Sequence, residues 1–292
     1  FGLLAAVALL AGAVIAFSRI ADLELPDVSA KDIEFKHDGA TLQGTLLSPS
    51  KTGPILLIVH GDGAQDRWSD TGYLPLVNAL IEAGFSVFSW DKPGVGGSSG
   101  NWLSQSMQDR ATEAVEALTA IRAQPGNEKR PIGFLGFSQA GWALPRVPSL
   151  TEEADFLVLI GAAINWQDQG QYFNTVRLSR ERRSLDGIET ELDWQAANDR
   201  CRFGPGATYR DYVAAERAAG RPEGKILTED RFEFIRLNHG EDAREHIARL
   251  TLPVLALMGA DDLNVDPQET VSVYRKLIGD AQIEQLPIEF TA

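Results

Sequence analysis

The residue with the clearest chemical context in this sequence is Ser138, in the run Gly-Phe-Ser-Gln-Ala-Gly at 136–141. An apolar run at 132–135 predicts a buried strand that ends before the serine, and a helix is predicted to begin after it. Small residues at positions 136 and 140 allow a sharp turn with a strained backbone and the serine exposed at its tip. The N–H groups at the start of the helix then face developing negative charge. An ordinary turn is the alternative, but this context favours a nucleophile for acyl transfer.

Three further motifs each follow an apolar run that is typical of a buried strand. His-Gly-Asp-Gly-Ala-Gln-Asp-Arg occupies 60–67, Asp-Lys-Pro-Gly-Val-Gly-Gly-Ser occupies 91–98, and Gly-Ala-Asp-Asp-Leu-Asn-Val occupies 259–265. The glycine-rich stretch at 94–100 lacks the spacing of a dinucleotide-binding or Walker phosphate loop. We interpret His60 as a structural residue that is hydrogen-bonded at a strand end, rather than as a catalytic base.

With these motifs the sequence resembles the α/β-hydrolase superfamily, over about residues 33–286. The resemblance is closest to bacterial esterase-like members related to serine aminopeptidases and acylaminoacyl peptidases. It implies that Ser138 is the nucleophile and that Asp262 is the acid that orients the base. It also implies an oxyanion hole formed by the backbone N–H groups of Gln139 and Asp62. The Asp62 carboxylate should then point away from the oxyanion.

The assignment of the acid has two competitors, Asp261 and Asp266, but only Asp262 has the family's spacing within the motif at 259–265. Ala140 departs from the family, in which glycine is commoner, and alanine is small enough for the turn to survive. The resemblance implies hydrolysis of a carboxylic ester, or of an amide or peptide, through an acyl-enzyme. Thioester hydrolysis and acyl transfer to an acceptor other than water are alternatives.

The general base is missing from its expected place. The family order is nucleophile, acid and histidine, with the histidine after the last strand, for which the pattern lies at 282–287. None of the four histidines follows Asp262. We therefore expect that the sequence is truncated at both ends and that the base lies beyond Ala292. A catalytically inactive binding protein on the same scaffold is the alternative, and the intact serine, acid and oxyanion motifs favour the enzyme. The histidines are His37, His60, His239 and His246.

Composition argues against several other classes of function. The formal net charge is −14, whereas binding to nucleic acid requires clustered Lys and Arg, and the sequence has no long basic block. Cys201 is the single cysteine, so there is no intrachain disulfide and no zinc-binding Cys/His spacing. We expect a small-molecule or peptide acyl substrate, and no metal, cofactor or nucleic acid.

The elements that must position these residues follow from the spacing of the apolar runs. Residues 33–36 and 42–46 predict a β-hairpin with an Asp-Gly turn. The run at 55–59 and similar later runs alternate with amphipathic helices, a pattern typical of a parallel sheet with right-handed crossovers. The predicted class is therefore α/β, an α/β-hydrolase fold with a mostly parallel sheet flanked by helices. The later strand patterns are at 85–90, 132–135, 156–160 and 254–258, and the helix patterns are at 74–83, 107–122 and 267–278.

The alternation is interrupted by a charged stretch, rich in aromatic residues, that has helical patterns and no buried strand. It is too long for a structureless loop, so we expect a helical cap insertion at 165–249 over the carboxyl edge of the sheet. The α/β-hydrolase core is then expected at 32–164 and 250–292, truncated at its C-terminal end. Residues 1–31 are expected to hold a signal or anchor segment and a spacer.

The N-terminal segment suggests export. Residues 2–17 form a run of sixteen without a charge, whereas a membrane-spanning helix needs about 20 apolar residues. The apolar region of a signal peptide or a membrane anchor is favoured over a buried helix. We expect an exported protein, periplasmic or extracellular, that is cleaved or held at the membrane by this segment.

Overall fold

The computed structural model describes residues 23–279 and a two-residue strand at 283–284. The apolar segment at 2–17 lies outside the described residues, as does most of the strand pattern at 282–287. Within the described ranges, the structure contains no helix that is both long and apolar enough to cross a membrane.

A β-hairpin forms one edge of the sheet. Strand β1 (Ser29–His37) pairs antiparallel with β2 (Ala40–Ser48). The residues between them, Asp38 and Gly39, have φ values of +43° and +75°. Positive φ at both positions suits the two-residue turn that matches the twist of a hairpin. The predicted Asp-Gly turn is confirmed, and both strands are longer than the sequence pattern indicates.

The rest of the sheet is built from strands whose sequences are short apolar runs. They are β3 (Ile55–Val59), β4 (Ser86–Trp90), β5 (Ile132–Phe137), β6 (Phe156–Ile160), β7 (Val254–Leu257) and β8 (Ile283–Glu284). Across the described residues the order is β1-β2-β4-β3-β5-β6-β7-β8. Every neighbouring pair from β4 to β8 is parallel, and β2 joins β4 antiparallel. Every residue of β3 and β4 is buried, as expected for strands covered on both faces.

Helices flank this sheet, and several begin at side chains that cap their first turn. Ser106 and Asp109 form a reciprocal capping box at the start of one helix, and Asp266 caps another. The mostly parallel α/β fold predicted from the sequence is confirmed. In chain order the helices are α1 (Leu74–Glu82), α2 (Met107–Arg122), α3 (Ala140–Ala143), α4 (Trp166–Arg180), α5 (Leu185–Phe203), α6 (Tyr209–Ala218), α7 (Glu229–Asn238), α8 (Arg244–Ile247) and α9 (Pro267–Ile278).

The segment between β6 and β7, residues 165–249, is called the cap below and contains α4 to α8. Phe203, Tyr212 and Phe232 form a small buried cluster of their own in the cap. Phe234, two residues further along α7, belongs instead to the main hydrophobic core. Helix α7 therefore contributes to both cores and joins the cap to the sheet domain.

The parallel strands fix where functional side chains can meet. Because β4, β3, β5, β6 and β7 are adjacent and parallel, the loops that follow them lie along one edge of the sheet, the carboxyl edge. The motifs at 60–67, 91–98 and 259–265 follow these strands, and the motif at 136–141 begins in the last two residues of β5. The sheet therefore gathers the four motifs of the sequence at one edge.

Candidate active site

Ser138 lies at the tip of a strained turn between β5 and α3. Its φ is +47°, a left-handed conformation that costs a residue with a side chain about 1–2 kcal/mol. A Cβ at Gly136 would lie 2.5 Å from Leu144 Cδ1 and 2.9 Å from Ala140 Cβ. The turn can therefore close only because residue 136 is glycine. The absence of a Cβ at position 136 also leaves space for the Cβ of Ala140.

Backbone hydrogen bonds hold Ser138 in this conformation. Its N–H donates to the carbonyl of Ile160 at the end of β6 (3.0 Å). Its own carbonyl accepts from the N–H groups of Gly141 (2.9 Å) and Ala163 (3.1 Å). Since a Cβ at Gly141 would lie 2.4 Å from the carbonyl oxygen of Ala163, this close approach needs glycine. The surrounding structure thus imposes the strain at Ser138 and keeps it in place.

The loop after β3 runs beside Ser138, because β3 and β5 are neighbours in the sheet. A Cβ built on Gly61 would lie 3.4 Å from Ser138 Cβ, which is van der Waals contact. Among the described residues, the backbone N–H groups of Asp62 and Gln139 donate no hydrogen bond to a backbone carbonyl outside the helices and strands. The structure therefore brings the two residues predicted to form the oxyanion hole next to the serine.

The Asp62 carboxylate is bound by two side chains. Arg231 of α7 donates from Nη1 to Oδ1 (2.9 Å) and from Nη2 to Oδ2 (2.7 Å). Gln139 Nε2 donates to Oδ1 at 3.2 Å. Burial acts to raise the pKa of Asp62, but the hydrogen bonds and charge of Arg231 outweigh it and hold this pKa below its ordinary value. The carboxylate is therefore ionised and engaged with the cap.

Arg110 is a buried cation that sequence analysis did not single out. Its side chain is 5% exposed, and it donates to Gln139 Oε1 and to the carbonyl of His60, both at 2.6 Å. Its position on α2 lies on the apolar face, beside Met107 and Ala111. A charged residue within a stripe of buried positions is a signal that could have revealed it.

Lys92 is a second buried cation, and it follows β4. It is 2% exposed and donates to the carbonyls of Gly61 (2.5 Å) and Gly63 (2.8 Å). Its ammonium group lies 4.8 Å from the centre of the Trp102 ring. Burial, together with the charge of Arg110, lowers the pKa of Lys92 well below its ordinary value. Nothing in the sequence distinguishes Lys92 from an exposed lysine in a glycine-rich turn.

Two of the sequence motifs hold each other in place through one ion pair. Arg67, the last residue of the motif at 60–67, donates from Nη2 to Asp91 Oδ2 at 2.7 Å and from its backbone N–H to Asp91 Oδ1 at 2.8 Å. Asp91 also accepts from the N–H of Gly97 at 2.9 Å. These contacts fix the loops after β3 and β4 relative to each other.

Asp262 lies at the same edge, two strands from Ser138. Its Oδ1 accepts from the N–H groups of Asn264 (2.8 Å) and Val265 (3.1 Å). Its Oδ2 faces Gly161 after β6, 3.3 Å from where a Cβ would stand. Two strand spacings correspond to roughly 10 Å between the backbones that carry the serine and the acid. That separation leaves room for an imidazole between them.

The two competitors for the acid are placed differently. Asp261 is exposed, and Asp266 accepts from the N–H groups of Gln268 and Glu269 as the N-terminal cap of α9. Asp262 is thus the member of this group with one oxygen fixed by the backbone and the other directed along the sheet edge.

His60 is a structural residue, as the sequence analysis expects. Its Nε2 donates to the carbonyl of Trp90 at 2.6 Å, and its Nδ1 lies 3.3 Å from the hydroxyl of Tyr73. Burial and the charge of Lys92 lower the pKa of His60 to about 3, so the ring is neutral at physiological pH. With both nitrogens engaged, His60 is not placed to act as a base.

Two of the other three histidines have hydrogen-bond partners elsewhere in the described part of the chain. His37 Nδ1 lies 2.7 Å from a carboxylate oxygen of Glu116. His239 Nδ1 lies 3.0 Å from the carbonyl of Arg236 in the cap. Burial, followed by the charge of a nearby arginine, lowers the pKa of His246. Among the hydrogen bonds of the described residues, none joins these rings to Ser138 or to the acid.

A cavity of about 220 Å³ lies within the cap, between α4, α5 and α7. Trp166, which lines it, stacks on Trp142 of α3 with ring centres 5.0 Å apart. This pair therefore connects the lining of the cavity to the helix that follows the serine turn. Its lining combines apolar groups with the side-chain amides of Gln167 and Gln171. Within the described ranges, no group of three or more His, Cys, Asp and Glu side chains could hold a metal ion.

This sheet order, with a strained serine turn at its carboxyl edge, defines an α/β hydrolase. Residues 50–287 match the family described as serine aminopeptidase, S33, and the chain belongs to that family. It is also similar to the uncharacterized protein YfhR of Escherichia coli K12, with 36% identity over 95 residues. That match covers 31% of this chain and 32% of the relative, so the chain spans about a third of the length of the curated relative.

Solved structures with the same fold include several hydrolases. An esterase of Pyrococcus furiosus has a TM-score of 0.60 and 15% identity, covering 91% of this chain and 83% of its own. The enol-lactonase of Burkholderia xenovorans LB400 has a TM-score of 0.54 and 15% identity, covering 88% and 91%. The acylaminoacyl peptidase of Pyrococcus horikoshii has a TM-score of 0.55 and 12% identity, covering 92% and 38%. At these identities the similarity shows the fold.

Proposed function

We propose that the protein is a serine hydrolase that cleaves a carboxylic ester through an acyl-enzyme on Ser138. The Ser138 hydroxyl attacks the acyl carbon, and its proton passes to a base. The backbone N–H groups of Asp62 and Gln139 stabilise the oxyanion of the tetrahedral intermediate. The alcohol leaves with a proton, and water then releases the acid and regenerates the serine.

The observation that carries this proposal is the conformation of Ser138. A serine with a φ of +47°, held there by neighbouring strands, is a strain that folds retain where function requires it. The loop at 60–63 passes beside it, and Asp262 lies two strands away. The ester class is supported by the fold neighbours that are esterases, and an amide substrate is supported by the family description.

The proposal requires a base between Ser138 and Asp262, and we expect a histidine carried after β8, in keeping with the family order. None of the four histidines is hydrogen-bonded there in the described residues. This observation favours the second candidate, a hydrolase-fold protein that binds an acyl compound without cleaving it. The two functions predict different reactivity of the serine.

A fluorophosphonate probe tests the reactivity of Ser138 directly. The full-length protein, including any residues that follow Ala292, is expected to be labelled at Ser138 and to hydrolyse p-nitrophenyl esters. Ser138→Ala should lose both properties. Ser149→Ala removes an exposed serine outside the motif at 136–141 and should retain both. A folded wild-type protein that neither reacts with the probe nor turns over esters would reject the hydrolase and favour the binding protein.

A further inference from the structure

The residues on the two sides of the loop after β3 are set by the order of the sheet. Strand β3 lies between β4 and β5. The backbones of Lys92, after β4, and of Ser138, after β5, therefore flank the loop at Gly61 on opposite sides. The carbonyl of Gly61 is hydrogen-bonded to the amine of Lys92 at 2.5 Å, so it is directed to the residue carried on the β4 side of the loop.

The direction of this carbonyl fixes the direction of the next N–H group. A trans peptide is planar, and its C=O and N–H bonds point in opposite directions. When the carbonyl of Gly61 points toward Lys92, the N–H of Asp62 points toward the β5 side, where Ser138 lies. We propose that Lys92 is a positioning residue of the oxyanion hole, which holds the peptide between Gly61 and Asp62 with its N–H group aimed at the serine. This inference rests on the proposed function.

A second contact restrains the same loop. Lys92 also donates to the carbonyl of Gly63 at 2.8 Å, so one amine holds carbonyls on both sides of Asp62. Gly63 has a φ of +98°, a conformation that is open to glycine and leaves this short loop free to rotate unless it is held. Hydrogen bonds to the carbonyls on both sides of Asp62 restrain the orientation of its backbone.

Arg110 fixes the neighbouring peptide in the same way. It donates to the carbonyl of His60 and to Gln139 Oε1. The first contact orients the peptide before Gly61, and the second holds the side chain of the residue that carries the other proposed donor. Arg110 thus contacts both the loop that carries Asp62 and the side chain of Gln139, whereas Lys92 contacts only the loop that carries Asp62. This difference makes Lys92 the sharper test.

The burial of Lys92 indicates that these contacts have a specific purpose. Moving an ammonium group out of water is costly unless it is paired, and Lys92 is 2% exposed. Its direct partners are two carbonyls and the face of Trp102, rather than a carboxylate. The contacts that require an amine are those to the loop.

The test replaces Lys92 with methionine, which has nearly the same shape and no N–H donor. With p-nitrophenyl acetate as substrate, we expect Lys92→Met to lower kcat by about 10²-fold, the scale of losing one oxyanion donor. KM should change less than threefold, because the donor acts on the transition state. Phenylboronic acid forms a tetrahedral anionic adduct with an active-site serine, and its inhibition constant should rise in parallel with the loss of kcat.

Two further variants separate positioning from general stability. Arg130 donates to the carbonyl of Gly53 and to the hydroxyl of Ser86 at the opposite edge of the sheet, so Arg130→Met removes a similar contact far from the serine. It should lower the melting temperature and leave kcat unchanged. Lys92→Gln keeps an amide donor without the charge, and its kcat should lie clearly above that of Lys92→Met.

Rates are normalised to the fraction of protein that a fluorophosphonate labels at completion, so that a partly unfolded variant is not mistaken for a slow one. Equal kcat values for wild type and Lys92→Met would overturn the inference, and so would equal losses in Lys92→Met and Lys92→Gln. A loss that appears only in KM would also overturn it. If the wild type neither reacts with the fluorophosphonate nor hydrolyses the ester, the proposed function is rejected. An active wild type with an equally active Lys92→Met rejects only the role of Lys92.

Discussion

Asp261 and Asp262 are neighbours in the sequence, and the backbone treats them differently. One oxygen of Asp262 accepts two backbone N–H groups, and the other faces Gly161 along the sheet edge. Asp261 has an exposed side chain. A catalytic acid must be held so that it orients a base and stabilises its charged form. The geometry therefore supports Asp262 over Asp261 in that role.

Removing the charge from each aspartate in turn tests this choice. We expect Asp262→Asn to lower kcat for ester hydrolysis by about 10³-fold or more, because an amide can hold the base in the wrong tautomer. Asp261→Asn should stay within about twofold of wild type, since it alters a solvated group. Steady-state kinetics on the full-length protein, with circular dichroism to confirm folding, provide the measurement. Similar losses in both variants would contradict the assignment.

Features that depend on local sequence could be predicted, and features that depend on distant contacts could not. The sharp turn at Ser138 could be predicted because its small neighbours and the preceding strand are adjacent to it in the sequence. The contacts of Arg231 with Asp62 join residues 169 positions apart, and nothing near Arg231 signals them. Lys92 reads as an ordinary lysine in a turn, because its burial and its contacts depend on the loop after β3. Arg110 is intermediate, because its place on the buried face of α2 is a local signal, whereas its contacts are with residues distant in the sequence.

At the scale of elements, helix α7 is one of the connections between the cap and the sheet domain. Phe232 packs in the cap cluster and Phe234 in the main core. Arg231, next to them, makes a bidentate ion pair with Asp62, whose side chain is 43% exposed. Arg231 also lies over the rings of Trp102 and Phe234, 5.7 and 5.0 Å from their centres. The helix thus contacts the loop beside the serine through both charge and packing.

Replacing Arg231 with methionine tests the charge separately from the packing. The folded-state pKa of Asp62 is lowered, so its contribution to stability is present above the unfolded value of about 4 and is lost as pH falls through the folded value. We expect Arg231→Met to lower the free energy of unfolding by about 1 kcal/mol at pH 7, the upper range for a partly exposed pair. The difference from wild type should shrink as pH is lowered below about 4.

Arg236→Met is the matched control for this prediction, because Arg236 pairs with Glu233 on the exposed surface of the same helix. It should cost less than about 0.5 kcal/mol. Urea unfolding at a series of pH values gives both free energies. If the two variants were equally destabilised at pH 7, the contact of Arg231 with Asp62 would contribute no more to the free energy of unfolding than an exposed ion pair does.

The elements themselves could be predicted wherever the hydrophobic pattern was regular. Helices α2 and α9 begin and end where the sequence pattern places them, and β3 and β6 match their apolar runs. The helix after Ser138 is different. It ends after Ala143 and continues as a 3-10 helix at Leu144–Ser149 that contains Pro145 and Pro148. Proline removes the N–H donor that a longer α-helix would need, and the sequence analysis did not use this signal.

At the scale of the whole molecule, His60 links stability to pH. It is buried at the end of a central strand, and its pKa is lowered to about 3, against about 6.5 in the unfolded chain. The unfolded state therefore binds a proton between these values that the folded state does not. Stability is unaffected by His60 above pH 6.5 and decreases as pH falls from 6.5 toward 3.

We expect this effect to reduce the free energy of unfolding by about 2 kcal/mol between pH 6.5 and 4.5. His60→Gln retains a donor for the carbonyl of Trp90 and cannot titrate. At pH 8, where His60 is neutral in both the folded and the unfolded chain, the free energy of unfolding of His60→Gln should be lower than that of wild type. Below pH 6.5 this free energy should depend less on pH in the variant than in wild type. Guanidinium unfolding monitored by tryptophan fluorescence measures both. A pH dependence as steep as that of wild type would show that other groups cause it.

The hydrogen bonds from Arg231 through Asp62 and Gln139 to Arg110 have a consequence for protein engineering. The cap is a convenient unit for exchange with a related hydrolase, because it is one continuous segment between β6 and β7. Here a cap that lacks an arginine at position 231 would leave a half-buried carboxylate beside the serine without its counter-ion, and such a charge is destabilising. Substitutions at these four positions should therefore be non-additive. A chimera of this protein would have to carry over Arg231 with its cap, or replace Asp62 at the same time.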